Sequence, residues 1–151
     1  MNHVLDASFF FADRSLEGDL FTTPSVVAEL VDLPAKCRLE NLSATGLRVA
    51  APSCGSLADV DKAARKTGDT PVLSATDRDI LALARDLGAS LHTDDFAVQN
   101  VAHALGITTV PLRQKQASPV RWRFRCTGCG RYYRETGECP VCGAMIKRRL
   151  K

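Results

Sequence analysis

Between Leu73 and Ala102, LSATDRDILALARDLGASLHTDDFAVQNVA, the apolar positions change period twice and so define three elements. Ile80, Leu81, Leu83, Ala84 and Leu87 recur at helical spacing behind Ser74 as N-cap and Asp77 at the third helical position. Gly88 suits a left-handed stop, and Ala89 to Thr93 then predicts a short buried strand. Asp94 and Asp95 open the next helix, which carries Phe96, Val101 and Leu105 on one face and ends at Gly106. From Asp77 to Leu87 a helix rises roughly 15 Å at about 1.5 Å per residue. The strand returns about 16 Å at about 3.3 Å per residue. Asp94 and Asp95 therefore come back to the level of Asp77, where a strand ends and two helices begin. In open α/β sheets that edge binds ligands.

The other apolar runs extend the alternation. His3-Val4-Leu5 predicts a strand ending on Asp6, followed by Ala7-Ser8 and the aromatic run Phe9 to Phe11. Leu20 to Thr22 predicts a second strand. Thr23 as N-cap and Pro24 at the first position start a helix through Leu30, with Glu29 beside its apolar stripe. Pro34 to Leu42 is amphipathic and helical, and Leu47 to Ala51 is a strand closed by Pro52. Ser56 or Asp59 begins another helix, ended by Lys66 to Asp69, with Thr70 to Leu73 as an extended link. Ile107 to Leu112 is a final strand. Short strands alternating with helices predict an α/β fold: a parallel sheet flanked by helices. Arg113 to Pro119 is polar and aperiodic, which divides the chain into 1–112, a linker over 113–119, and 120–151.

Charge sharpens that division. Residues 1–112 carry 15 Asp/Glu against 9 Lys/Arg, a net −6, whereas 113–151 carry 2 against 11, a net +9. An acidic body with a basic tail implies two tasks, and the tail implies either a polyanion partner or a merely solubilising segment. No apolar run is long enough to cross a membrane, and MNHVLDASFFF has neither a basic leader nor a cleavage site. The expectation is a cytoplasmic protein with no membrane partner.

Asp6 ends a buried strand, where capping and solvation account for a carboxylate less well than they do for the later acids. Ser8 either orients it or caps the following turn. Glu29 alone would be an ordinary solvated acid, and Asp77 and Asp95 alone would be helix-cap acids favoured by the macrodipole. Together at one edge the carboxylates repel, and raised pKa values or a divalent cation must relieve them. Hard oxygen ligands favour Mg²⁺ or Mn²⁺, which suit phosphodiester hydrolysis.

Four of the six cysteines form C-x2-C-x9-C-x2-C: Cys126, Cys129, Cys139 and Cys142. That spacing predicts one structural zinc held by four thiolates, with rubredoxin-like iron as the alternative. RYYRETGE between the pairs predicts a hairpin with Thr136-Gly137 near its tip. Around it stand Arg121, Arg123, Arg125, Arg131, Arg134, Lys147, Arg148 and Arg149, interleaved with aromatics. In Arg121-Trp-Arg-Phe-Arg125 the alternation puts arginines on one strand face, suited to phosphates, and aromatics on the other, as a small core rather than as base-stacking platforms.

VLDAS, VVAEL with Glu29, LSATD with Asp77 and HTDD with Asp95 resemble the acidic motifs of PIN-domain ribonucleases, over most of residues 2–112. LSATDRDILALA and TDDFAVQNVA, followed by a linker and a four-cysteine ribbon, are similar to the Nin-one-binding (NOB) endoribonucleases. The absence of the long insertions of eukaryotic relatives gives the chain an archaeal look. The resemblance implies a PIN-like fold and a metal-dependent endoribonuclease that matures the 3′ end of small-subunit ribosomal RNA on the pre-small ribosomal subunit, among its assembly factors. Carried over by motif, the catalytic, metal-binding acids are Asp6, Glu29, Asp77 and Asp95, with Asp94, Ser8 and Thr93 as additional candidates. Three rivals stand beside this: a toxin-type PIN ribonuclease acting on transfer or messenger RNA, a non-catalytic RNA-binding assembly factor, and a zinc-ribbon transcription factor. Toxins of that kind usually lack a ribbon, the complete acid set argues against the second, and the third explains nothing of residues 1–112.

Overall fold

The chain enters through strand β1 (Asn2–Leu5), which becomes the centre of a five-stranded sheet in a computed structural model describing residues 1–113 and 118–150. On one side β1 pairs with β2 (Asp19–Thr22), and on the other with β4 (Ser90–His92). The edges are β3 (Arg48–Val49) and β5 (Thr109–Val110). All pairs are parallel, in the order β3-β2-β1-β4-β5. The order reverses between β1 and β4, so a crevice opens beyond their carboxyl ends, at Asp6 and Thr93. Among the described residues six helices flank the sheet: α1 (Ala7–Phe11), α2 (Pro24–Glu29), α3 (Leu33–Ala44), α4 (Cys54–Thr67), α5 (Ala75–Leu87) and α6 (Phe96–Ala104). Val4, Leu5, Val60, Ile80, Leu81, Leu91 and Val98 form the centre of the core. None of the helices in the described residues is long and apolar enough to cross a membrane.

Several predicted boundaries move, each for a tertiary reason. The run Phe9 to Phe11 forms α1, because Asp6 caps it by accepting from the Ala7 amide at 2.7 Å and both Phe9 and Phe10 bury. Helix α4 starts at Cys54 rather than at Ser56 or Asp59. Its cap is Ser53, whose amide and hydroxyl both bond Asp86 on α5, at 2.6 and 2.7 Å. Helix α6 is capped by Asp95, not by Asp94. The edge strands β3 and β5 are shorter than predicted. Residues 70–73 are a turn instead of an extended link, closed by the Val72 and Leu73 amides donating to the Asp69 carbonyl.

Helices α4 and α5 are antiparallel, since Asp59 pairs with Arg85 while Asp61, further along α4, pairs with the earlier Arg78. The end of α4 and the turn after it therefore lie at the same end of the molecule as Asp77.

A second, antiparallel sheet carries the cysteines. It is built from β6 (Trp122–Cys126), β7 (Tyr132–Tyr133), β8 (Gly137–Glu138) and β9 (Met145–Leu150), in the order β7-β6-β9-β8. The basic tail thus contains an unpredicted central strand, β9. The expected hairpin between the knuckles is absent: β7 pairs with β6, and β8 with β9. Residues 114–117 of the predicted linker lie outside the described residues.

The ribbon is fastened to the first sheet's helices by a polar latch. Asn100 on α6 clasps the Val120 backbone with both side-chain atoms, at 2.6 and 2.7 Å. Its amide nitrogen also bonds the fully buried Asp69 carboxylate, at 2.6 Å. The other Asp69 oxygen takes Arg148 of β9 at 3.2 Å, and that guanidinium lies 4.0 Å from the centroid of the Trp122 ring. Gly68, at φ +84, ends α4 in the left-handed region and leaves room for Trp122, since a Cβ there would sit 2.7 Å from the Trp122 Cβ.

Candidate active site and cysteine ribbon

The sheet brings Asp6, Asp77, Asp95 and Glu29 to its carboxyl edge by four different local devices. Asp6 follows β1, its amide donating to the His92 carbonyl on β4. Its Oδ2 accepts from the Thr93 hydroxyl at 2.7 Å and, more weakly, from Ser8 at 3.4 Å. Burial pushes the Asp6 pKa up, against the hydrogen bonds from Thr93 and Ala7, and the Asp77 and Asp95 charges push it the same way. Asp77 sits in a capping box with Ser74 at the start of α5, the amides and side chains bonding reciprocally at 2.8 and 3.1 Å. Its pKa is also raised, by desolvation first and then by Asp95 and Glu29. Asp95 is exposed and spends Oδ1 on the Ala97 and Val98 amides at the mouth of α6. Glu29, at the end of α2, is exposed and held by the Thr76 hydroxyl at 2.6 Å. The charges of Asp77 and Asp95 thus reach Asp6, and those of Asp95 and Glu29 reach Asp77, but the acids are not packed like the cysteines. Among the described residues only the cysteines bring three or more ligand atoms within 4.8 Å of one another.

Asp94 faces elsewhere. Its Oδ1 accepts from the Leu112 and Arg113 amides at 2.7 and 3.0 Å, fixing the exit of the chain from β5. Charged hydrogen bonds of this kind contribute about 1.5–3 kcal/mol. Asp94→Ala is expected to lose stability of that order in urea unfolding. A change within about 0.5 kcal/mol, ordinary for a surface site, would show the clasp to be dispensable.

Sequence reasoning passed over Thr76, Gln99, Asn100 and Asp69. Gln99 donates to the Thr93 carbonyl at 3.0 Å, stiffening the strand end that orients Asp6. The available signal was two adjacent amides, Gln99 and Asn100, in an otherwise apolar helix.

In the ribbon, the Cys126 and Cys142 sulfurs are 3.3 Å apart and those of Cys129 and Cys139 3.7 Å. Tetrahedral zinc with Zn–S bonds of about 2.3 Å needs sulfurs about 3.8 Å apart. The four therefore fit such an ion, and they are too far apart for disulfides of about 2.05 Å. Gly130 and Gly143, at φ +75 and +74, make the turn after each knuckle. Backbone amides then face the sulfurs, Gly128 to Cys126 at 3.4 Å among them. The Tyr133 hydroxyl donates to Cys139 at 2.9 Å and holds that thiol down to about 6.

The outer face of the β6–β9 pair carries a row of cations. Arg123 lies directly opposite Arg149, and Arg125 opposite Lys147, all four exposed. Directly opposed like charges destabilise a sheet, so the needs of the fold do not account for this row. Phe124, Cys126, Cys139 and Ile146 fill the inner side. Arg148 points inward with them, to Asp69 and Trp122.

An open parallel sheet with carboxylates at its switch point, joined to a cationic cysteine ribbon, has the architecture of a nuclease. The family model for the PIN domain of ribonuclease matches residues 3–87, more than half of the chain. Endoribonuclease Nob1 of Pyrococcus abyssi is 40% identical over 148 residues, covering 95% of this chain and 91% of its own. Ribonuclease VapC1 of Thermoplasma acidophilum is 36% identical over 98% of this chain and 78% of its own. The 20S-pre-rRNA D-site endonuclease NOB1 of Saccharomyces cerevisiae is 40% identical over 80 residues, covering 52% of this chain and 17% of its own. The chain belongs to the Nob1 endoribonucleases of the PIN-domain family, and it is an endoribonuclease.

Proposed function

We propose that this enzyme cuts precursor ribosomal RNA to mature the 3′ end of small-subunit rRNA. It acts in the cytoplasm on the pre-small ribosomal subunit, among the assembly factors of that particle. The observation that carries the substrate is the likeness to Nob1 over both sheets, together with the pre-rRNA named for the yeast relative. The ribbon by itself does not choose the substrate, because the match to the VapC1 ribonuclease spans it too.

Asp6, Glu29, Asp77 and Asp95 are the catalytic acids and would hold Mg²⁺ or Mn²⁺. The donor set suits a hard cation: four carboxylates, two with pKa values raised by burial and mutual repulsion, a strain that positive charge relieves. When bound, such an ion supplies charge neutralisation at the phosphodiester and a lowered pKa for attacking water. The chain's own groups set the geometry. Thr93 and Ser8 orient Asp6, Thr76 orients Glu29, and the Ser74 box fixes Asp77. Residues 1–112 form the nuclease module, and 120–151 the RNA-gripping ribbon with one zinc on Cys126, Cys129, Cys139 and Cys142. Arg121, Arg123, Arg125, Arg131, Arg134, Lys147 and Arg149 supply phosphate contacts, whereas Arg148 serves the latch.

Incubation with a transcript spanning the 3′ end of the small-subunit rRNA tests the reading. One discrete cut at the mature end is expected with Mn²⁺ or Mg²⁺, and none in EDTA. Cleavage of transfer or messenger RNA in place of that transcript would overturn it.

A further inference from the structure

Between the turn after α4 and the ribbon lies a groove of about 1020 Å³. Arg65 and Lys66, exposed on the last turn of α4, stand on its nuclease side with Thr70 and Pro71. Arg121, Arg123 and Arg134 stand on its ribbon side. Glu135 is the only acid among the residues that line it. Two neighbouring cations on a module of net charge −6 are out of keeping with that module, and nothing in the acid site or the cysteine ribbon uses them.

The walls are aromatic as well as basic. Tyr132 is 60% exposed, with the Arg123 and Arg125 guanidinium carbons 5.7 and 5.8 Å from its ring centroid. Trp122 lines the groove from the other face of β6, where Phe124 is buried in the ribbon core. Among the described residues three buried side-chain polar atoms lack a hydrogen-bond partner: Thr70 Oγ1, Arg78 Nε and Trp122 Nε1. Arg78 Nε faces Asp61 at 3.2 Å, so its charge is met. The other two belong to residues that line this groove, and unmet polar groups of this kind call for an explanation. The groove also lies at the catalytic end of the sheet. Thr70 is seven residues before Asp77, so the chain between them spans at most about 25 Å.

Resting on the endoribonuclease reading above, we propose that this groove holds an unpaired stretch of the substrate RNA and leads it toward the carboxylate edge. Cations tracking a backbone, with aromatic faces for bases to stack on, are the means by which proteins hold single strands. A duplex hides its base faces and offers such walls nothing. The size agrees, because pockets of about 300–1,000 Å³ enclose small ligands and a few nucleotides, not a helix.

Trp122 is the only tryptophan, so indole emission comes from one wall of this groove. The full chain is titrated in Mg²⁺-free buffer with labelled oligouridylate of about ten nucleotides, within the span of single-strand binders. A blunt RNA hairpin is titrated in parallel, and anisotropy follows total binding of each. Oligouridylate is expected to change the Trp122 emission saturably, and the hairpin to leave it unaltered. The double variant Arg65→Ala, Lys66→Ala should flatten the slope of log K against log[salt] for oligouridylate by about 1.4, at about 0.7 per single-strand phosphate. Its unchanged hairpin binding serves as the folding control. Saturating anisotropy with unchanged emission, or a variant with the wild-type slope, would overturn the groove while leaving the rRNA-processing reading intact. Failure of the chain to bind either RNA would overturn both.

Discussion

Asp6→Asn is expected to abolish cleavage and, in the absence of divalent cations, to make the protein more stable. The folded-state pKa of Asp6 is raised, so the fold favours its protonated form. The sign follows: relative to the unfolded chain, stability from this group falls as pH rises above its ordinary value near 3.8, and the penalty is in force at neutral pH. Asparagine removes the charge, keeps an acceptor for the Ala7 amide and can donate to Thr93. If the relief is about 1 kcal/mol, Tm rises by about 2–4 °C. Cleavage behaves oppositely. Charge stabilisation by a bound ion is worth several kcal/mol, so losing a ligand costs about a thousandfold at about 1.36 kcal/mol per tenfold. Thermal melts with and without Mn²⁺ separate the effects. An ion at 100 times its Kd stabilises the wild type by about 2.7 kcal/mol, and that increment should collapse in the variant. A variant that cuts at the wild-type rate, or keeps the full Mn²⁺ increment, removes Asp6 from the metal site.

The second large effect is expected on removing zinc. The ribbon core is Phe124, Cys126, Cys139 and Ile146, far too little to fold alone, and the metal supplies on the order of 10–16 kcal/mol. Cys139→Ser, or a strong chelator, should therefore unfold residues 120–150 as a unit. The nuclease helices should survive, because a departing ribbon uncovers Asp69 and hands its carboxylate to water. The expected record is release of about one zinc per chain, a red shift of the Trp122 emission and loss of most RNA affinity, with the helical circular dichroism retained. Iron in the purified protein would refute zinc, and loss of the helical signal would show that the two modules cannot be separated.

Features written within a few residues were legible in the sequence. The Ser74–Asp77 capping box, the Thr23-Pro24 start, the Gly88 stop and the two cysteine knuckles each needed only their neighbours. The parallel sheet followed from the order of elements, and the return of Asp95 to the level of Asp77 from counting helix rise against strand rise. What escaped depends on partners far away. Helix α4 begins early because Ser53 meets Asp86, 33 residues on. Asp94 and Asp95 are neighbours of one chemical type, and only the position of the Leu112 and Arg113 amides sends them to different work. Strand β9 looked like a charged tail because alternation in Lys147-Arg148-Arg149 cannot show in residues of one charge. The inward turn of Arg148 becomes visible only once Asp69, 79 residues earlier, is in place.

The latch of Asp69, Arg148 and Asn100 also fixes a length. With the ribbon clamped to α6 and the α4–α5 turn, the span from the basic face to the carboxylates is carried by the protein. Under the proposed function, an RNA landmark held by that face would set by distance which phosphate reaches Asp6.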